Sequence, residues 1–274
     1  MSWTEITRRQ YRRKGLRFAS DTTDAEWGVI EPLMPERSAL GRPRTVDLRA
    51  VVNAMLYILT TGCQWRALGK DFPPRSTVQR YFYRWRDDGT WGWINRRLVA
   101  LARKAQGRNA IPSAGIIDSQ SVKTTESGGP RGFDAAKKVK GRKRHIVTDT
   151  AGFLLAVLVH PADIQDSHGA VPLLKSLGRA FPKLRYIFAD SIYRGEKLIN
   201  ALADLGKWTI EIVARAETAK AFEVLPRRWV VERTFAWLGR NRRLAKDFEV
   251  SIASAQAWIT IASVQLLSRR LARV

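Results

Sequence analysis

The sequence predicts an α/β sheet domain of roughly 150 residues preceded by a small all-α, helix-turn-helix-like domain. Three observations carry this. Apolar residues recur at helical spacing through residues 21–104. Beyond the Gly, Pro and Ser of residues 105–114 the pattern changes to short apolar runs alternating with helical segments. The 274 residues are 45% hydrophobic and include ten Trp, ten Phe and six Tyr, enough to bury a core and to exclude disorder as the main state.

The elements follow in order. Residues 1–20 are basic and aperiodic, and read equally as an arm that orders on DNA or as a solvated tail. Residues 21–108 form the helical domain. Thr23-Asp24-Ala25-Glu26 is a capping box, with Trp27, Ile30 and Leu33 behind it. Gly41-Arg42-Pro43-Arg44 is a loop. Asp47 to Thr61 is amphipathic through Leu48, Val51, Val52, Met55, Leu56 and Leu59, and stops at Gly62. Pro73-Pro74 breaks the chain, Ser76-Thr77-Val78-Gln79 reads as a second capping box, and Trp91 to Leu101 completes the bundle. Residues 109–274 form the sheet domain. Strands are expected at Gly115–Ser119, at His145–Thr150 and Phe153–His160 around an Ala151-Gly152 turn, at Leu184–Ala189 and at Thr209–Ala214. Helices are expected at Ala170–Ala180, Glu196–Leu205, Arg227–Leu238 and Ala253–Leu271.

Several classes are excluded. No stretch reaches the ~18 continuous apolar residues of a membrane span. The first residues carry no apolar run, so no signal peptide is expected. One cysteine, Cys63, rules out a disulfide framework or a multi-cysteine zinc site, and three scattered histidines make a histidine metal site unexpected. A soluble protein of the cytoplasm with no membrane partner is expected. The net charge is +23, divided as +11 over residues 1–110 and +12 over residues 111–274. A folded body this basic attracts a polyanion, nucleic acid first, with a ribosome-like or anionic-membrane binder as the alternative.

In the helix from Ser76, Val78, Tyr81, Phe82 and Trp85 fall inward, and Gln79, Arg80, Tyr83 and Arg84 fall on the other face. Arg and Gln are the side chains that fork onto base edges in the major groove. Arg75 and the helix start suit a phosphate. The plain alternative is a solvated helix surface.

The acids point to chemistry. Asp118 ends the first strand and Asp190 ends the strand Tyr186-Ile187-Phe188-Ala189; if the two strands are neighbours, both carboxylates meet at one end of the sheet. Glu232, on a helix whose core face is Val231, Phe235 and Leu238, supplies a third. Three oxygen ligands without Cys or His select Mg²⁺, with Mn²⁺ as substitute. Such acids could hold two ions about 4 Å apart acting on a phosphodiester. Each acid also has a bland reading: a turn cap for Asp118 and Asp190, an i,i+4 pair with Arg228 for Glu232. Around them, Thr124 to Arg144 is Gly-rich and basic (Lys137, Lys138, Lys140, Lys143) and reads as a DNA-backbone clamp or a surface loop. Arg228 is the candidate for orienting the scissile phosphate. Asp163 and Asp166 read as caps or turn residues, His145 and His160 as core or surface histidines, Trp229 and Trp237 as packing residues, and Cys63 as a small buried residue.

Several long motifs stand in order: Gly62-Cys63-Gln64-Trp65-Arg66, Asp71-Phe72-Pro73-Pro74, Ile117-Asp118-Ser119-Gln120-Ser121-Val122-Lys123, Lys140-Gly141-Arg142-Lys143-Arg144-His145, and Leu225 through Trp237. On these the chain resembles, over nearly its whole length, the DDE transposases of bacterial insertion sequences, in the group named after insertion sequence five. The resemblance implies a ribonuclease H-like catalytic fold and an N-terminal helical domain that binds terminal inverted repeats. It implies Asp118, Asp190 and Glu232 as the metal-binding triad, and a reaction of end hydrolysis followed by 3′-hydroxyl attack on target DNA. It also suggests a homodimer on DNA. Two departures stand out. In the pattern Tyr-x2-Arg-x3-Glu-x6-Lys, Arg228 and Glu232 fit, but Leu225 replaces the Tyr and Gly239 the Lys, which leaves Arg240 or Arg243 for the phosphate. Ser191-Ile192-Tyr193 places a bulky Ile after the second acid. Two other functions compete: a helix-turn-helix regulator on an inactive scaffold, and a nuclease that never joins strands.

Overall fold

The computed structural model describes residues 13, 15–36, 44–194, 196–203, 208–213 and 228–273. Most of the N-terminal arm, the Gly41-Arg42-Pro43 loop, and Leu225 to Arg227 lie outside the described residues. The helical region holds α1 (Asp24–Ile30), α2 (Leu48–Thr61), α3 (Arg75–Asp87) and α4 (Thr90–Lys104). The remainder runs β1 (Ala114–Lys123), β2 (Gly132–Asp134), β3 (Val139–Asp149), β4 (Leu154–Pro161), α5 (Asp166–Ala180), β5 (Tyr186–Ala189), α6 (Glu196–Ala201), β6 (Thr209–Ile212), α7 (Arg228–Gly239) and α8 (Ile252–Leu271).

Local chemistry explains several of the helix ends. The Thr23 hydroxyl accepts from the Glu26 amide at 3.1 Å while the Glu26 carboxylate accepts from the Thr23 amide, so the expected capping box closes. Asp47 caps α2 through the Arg49 amide at 2.8 Å, and Gly62 ends it in the left-handed region at φ 71°. A side chain at position 62 would also press on Arg242. The second capping box does not form. α3 begins one residue earlier, at Arg75, with Pro74 at the cap position and no side-chain cap; the proline ring holds φ near −47°, and Ser76 falls inside the first turn. The α2–α3 connection occupies residues 62–74 and includes a 3₁₀ turn at Trp65–Ala67, longer than the tight turn of 3–4 residues that a helix-turn-helix uses.

The sheet is mixed. β1 pairs antiparallel with β3 and parallel with β5, and β5 pairs parallel with β6. The other edge of β3 pairs with β4 and, near its start, with β2. Residues 124–144 are therefore partly sheet: β2 zips onto Val139–Gly141, and β3 starts six residues before the expected His145. α5 packs against β3 and β4, and α7 against β1 and β3.

One apolar core joins both regions. α8 lies against α4, α3, α2, α1 and β4. Its Trp258 stacks on Phe82 of α3 at 4.6 Å between ring centroids and leans on Trp65 at 5.7 Å. Asn95 of α4 donates to the Leu154 carbonyl at 2.9 Å and accepts from Ser263 of α8 at 2.7 Å, a buried polar pin through the seam. The Gly62-to-Arg66 motif serves the same seam, since the Cys63 carbonyl accepts from Arg243 at 3.1 Å. Among the described residues no helix is long and apolar enough to cross a membrane.

Candidate active site

The register of two parallel strands sets the acids. Ile116 on β1 pairs with Phe188 on β5. Two residues further along come Asp118 and Asp190, so the strands are neighbours, as the acidic pair requires; Asp118 does not end its strand, however, because β1 continues to Lys123 against β3, and only Asp190 stands past a strand end. Asp190 lies just past β5 and caps the 3₁₀ turn Ser191–Tyr193, accepting from the Ser191 amide and, at 2.9 Å, from its hydroxyl. Glu232 sits one turn into α7. Arg228, one turn before it, lies between two acids, with Nη2 2.7 Å from Asp190 and Nε 3.6 Å from Glu232. The bland contacts, a turn cap and an i,i+4 pair, are thus present together with the convergence.

Asp118 is the least satisfied of the three. It accepts from the Ser119 amide at 2.7 Å. Burial raises its carboxyl to about 6; the Ser119 amide and the charges of Arg228 and Lys137 oppose this, and Glu232 adds to it. Asp118 therefore feels Glu232 as a like charge. The donor set, three carboxylates with Asp118 short of positive charge, suits a hard divalent cation. In the present arrangement Arg228 supplies the positive charge, and among the described residues no three His, Cys, Asp or Glu side chains come close enough to enclose an ion.

The basic candidates divide. Arg75, Arg80, Tyr83 and Arg84 are exposed on α3 and Gln79 is half-buried, while Val78, Phe82 and Trp85 face inward as expected. Lys137 and Lys138 are exposed on the β2–β3 hairpin, and the Lys137 ammonium donates to the Ser119 carbonyl at 3.3 Å, beside Asp118. Arg240 is exposed beyond α7. Two others are not on the surface. Lys143 is buried, 2.6 Å from Asp166 and donating to the Ile164 carbonyl at 2.9 Å. Arg243 is buried, 2.5 Å from Glu249 and bound to the Cys63 carbonyl. Neither side chain is free for a phosphate, because each neutralises an internal carboxylate. Trp229 is 39% exposed, and Arg233 lies over both Trp229 and Trp237, at 4.3 and 4.5 Å from the ring centroids.

Asp166 is the residue the sequence misplaces. The cap position of α5 is Gln165; Asp166 is buried and accepts from the Ser119 hydroxyl at 2.9 Å. Strand parity holds the only signal. Ser119 and His145 are register partners, and Lys143 lies two residues before His145 on the same face of β3, so a buried face would leave a lysine in want of a carboxylate.

A mixed sheet of this strand order, flanked by helices and with one acid in β1 beside another just past β5, is the ribonuclease H-like architecture, here behind a helical region. Residues 109–267 match the family described as "Transposase DDE domain", and residues 22–95 match that described as "Putative transposase of IS4/5 family". The chain belongs to the DDE transposase family of insertion sequences. It is similar to a Burkholderia cepacia protein named "Putative transposase for insertion sequence element IS402", at 36% identity over 142 residues, covering 49% of this chain and 64% of that one. It is also similar to "Insertion element IS402 uncharacterized 16.2 kDa protein" of the same organism, at 30% over 111 residues, 38% of this chain and 74% of that protein. The match thus spans less than two thirds of the first relative's length.

Proposed function

We propose that this protein is a transposase that binds the terminal inverted repeats of an insertion sequence and catalyses divalent-metal-dependent strand cleavage and strand transfer. The register that brings Asp118 of β1 level with Asp190, just past β5, with Arg228 and Glu232 of α7 beside them, is the observation behind it. Residues 21–108 read the DNA ends, chiefly through Arg75, Gln79, Arg80, Tyr83 and Arg84; residues 109–274 carry the chemistry. Asp118, Asp190 and Glu232 hold Mg²⁺, or Mn²⁺ in its place, as two ions. Bound there, the metal activates water or a 3′-hydroxyl and stabilises the leaving oxygen. Water adds to the phosphorus at the element's end and the bond to the 3′-oxygen breaks. The freed 3′-hydroxyl then attacks a target phosphorus and displaces the target's own 3′-oxygen. Arg228, released from the acids once they are otherwise neutralised, faces the scissile phosphate, and Lys137, Lys138 and Arg240 line the approach. The protein works as a homodimer that pairs two ends.

The test is cleavage of a labelled duplex bearing the element's end, with Mg²⁺, Mn²⁺ or EDTA, using wild type beside Asp118→Asn. Metal-dependent cleavage lost in the variant is expected. Tight binding without cleavage in any metal, unaltered by Asp118→Asn, would overturn the enzymatic reading in favour of a regulator. Cleavage with no joining to added target DNA would reduce the protein to a nuclease.

A further inference from the structure

Behind the acids, on the opposite face of β1, lies a second, buried polar cluster. Asp166, the first residue of α5, is its centre. It accepts from the Ser119 hydroxyl at 2.9 Å, pairs with the Lys143 ammonium at 2.6 Å, and has His145 Nε2 at 3.5 Å. Burial alone would raise its carboxyl; hydrogen bonds from His145, Lys143 and Ser119 hold it well below the ordinary carboxylate range. Tyr193 closes the group. Its ring packs edge-on to His145 at 6.2 Å between centroids, its buried hydroxyl makes no hydrogen bond among the described residues, and burial with the nearby carboxylates favours the neutral phenol.

The cluster adjoins both acids along the chain. Ser119 follows Asp118 on β1, and its side chain points the other way because strand residues alternate. Tyr193 is the last residue of the 3₁₀ turn that Asp190 caps. α5 comes this close only because residue 169 is glycine: a Cβ there would lie 2.4 Å from His160 Nε2 and 2.8 Å from His145 Cε1. The whole group is internal, so none of these side chains can meet DNA or solvent cations directly.

We propose that Asp166 is a positioning residue of the catalytic site: through Ser119, the residue after Asp118, it fixes the placing of the Asp118 carboxylate against Asp190. This rests on the reading of those two acids as metal ligands. Groups that orient ligands in this way typically change metal affinity or activity by about 10–100-fold when removed.

The experiment measures Mn²⁺ binding to the full-length protein by the electron paramagnetic resonance of free Mn²⁺, with Mn²⁺ alone as probe. Wild type is compared with Asp118→Asn, Asp166→Asn and Ser119→Ala, and thermal unfolding is followed for each. Ser119→Ala keeps the Lys143–Asp166 pair, so it remains folded even if Asp166→Asn does not. The expected result is a Kd raised about tenfold in Ser119→Ala, and in Asp166→Asn where folded, at temperatures far below unfolding, with Ser119→Thr restoring the wild-type value. A merely structural role would lower the unfolding temperature and leave the Kd unchanged; that result overturns the proposal while loss of binding in Asp118→Asn keeps the triad. Wild-type binding that Asp118→Asn does not weaken, or no binding at all, overturns the triad reading and this proposal with it.

Discussion

Asp118 and Asp166 stand on opposite faces of one strand, and they are treated oppositely. Asp166 meets a lysine, a histidine and a serine hydroxyl, and these together outweigh the cost of its burial. Asp118, on the other face, has one amide and two more distant cations, and its carboxyl is raised to about 6. The first arrangement is what a fold builds to fix an acid in place. The second is what it leaves when an acid is kept for something that arrives later.

The largest expected effect separates the two faces by activity. Asp118→Asn, Asp190→Asn and Glu232→Gln should each lower cleavage of an end duplex by about a thousandfold or more, since metal-assisted charge stabilisation contributes several kcal/mol to the barrier. Binding of the duplex, measured by mobility shift, should survive in all three. Retained cleavage in any one removes that residue from the triad.

The next effects separate them by stability, with opposite signs. Breaking a buried pair leaves an uncompensated charge, so Asp166→Asn should destabilise by about 3–5 kcal/mol near neutral pH, read from denaturant unfolding. The folded carboxyl lies below its unfolded value of 3.8, so this stability is present above about pH 4 and is lost as the pH falls below it. The gap between wild type and variant should close in acid. Asp118 runs the other way. Its folded carboxyl lies above 3.8, at about 6, so ionisation opposes folding as the pH rises between those values. In EDTA, Asp118→Asn should therefore stabilise the protein by about 2 kcal/mol at about pH 8, after allowance for partial exposure, and by nothing at about pH 3. Equal stability at both pH values would mean that Asp118 is better satisfied than its surroundings suggest.

The same contrast explains what could be read from residues alone. The succession of elements, the amphipathic helices and the acids themselves were legible because apolar periodicity and an acid closing an apolar run are local signals; that β1 lies beside β5, and that it continues past Asp118 to Lys123, depends on pairing with distant strands. α3's inward face was legible for the same reason. β2 was not: Gly132-Phe133-Asp134 is too short to alternate, and only β3 makes it a strand. The cap of α3 was misread because a proline, rather than the serine after it, starts the helix. Asp166 was misread because its partners lie far away in the chain, Ser119 by 47 residues, and nothing local distinguishes a carboxylate that caps from one that binds a buried lysine. Lys143 failed with it, since a basic run looks alike whether its members alternate into a core or stand in solvent.

That last confusion offers the smallest and cleanest test. Arg80 and Arg84 are exposed on α3, while Lys143 and Arg243 neutralise buried carboxylates, yet all four are basic residues of a basic chain. If α3 lies on the DNA ends, Arg80→Ala with Arg84→Ala should weaken binding about tenfold and reduce the slope of log affinity against log salt by about 2, one for each phosphate that an arginine no longer neutralises. Lys143→Met should leave that slope unchanged where the protein remains folded, because an ammonium held by Asp166 releases no counterion from DNA. A slope unchanged in the double variant would move the binding face off α3. A slope reduced by Lys143→Met would mean that Asp166 gives up its lysine when DNA arrives, and the two faces of β1 would no longer be separate.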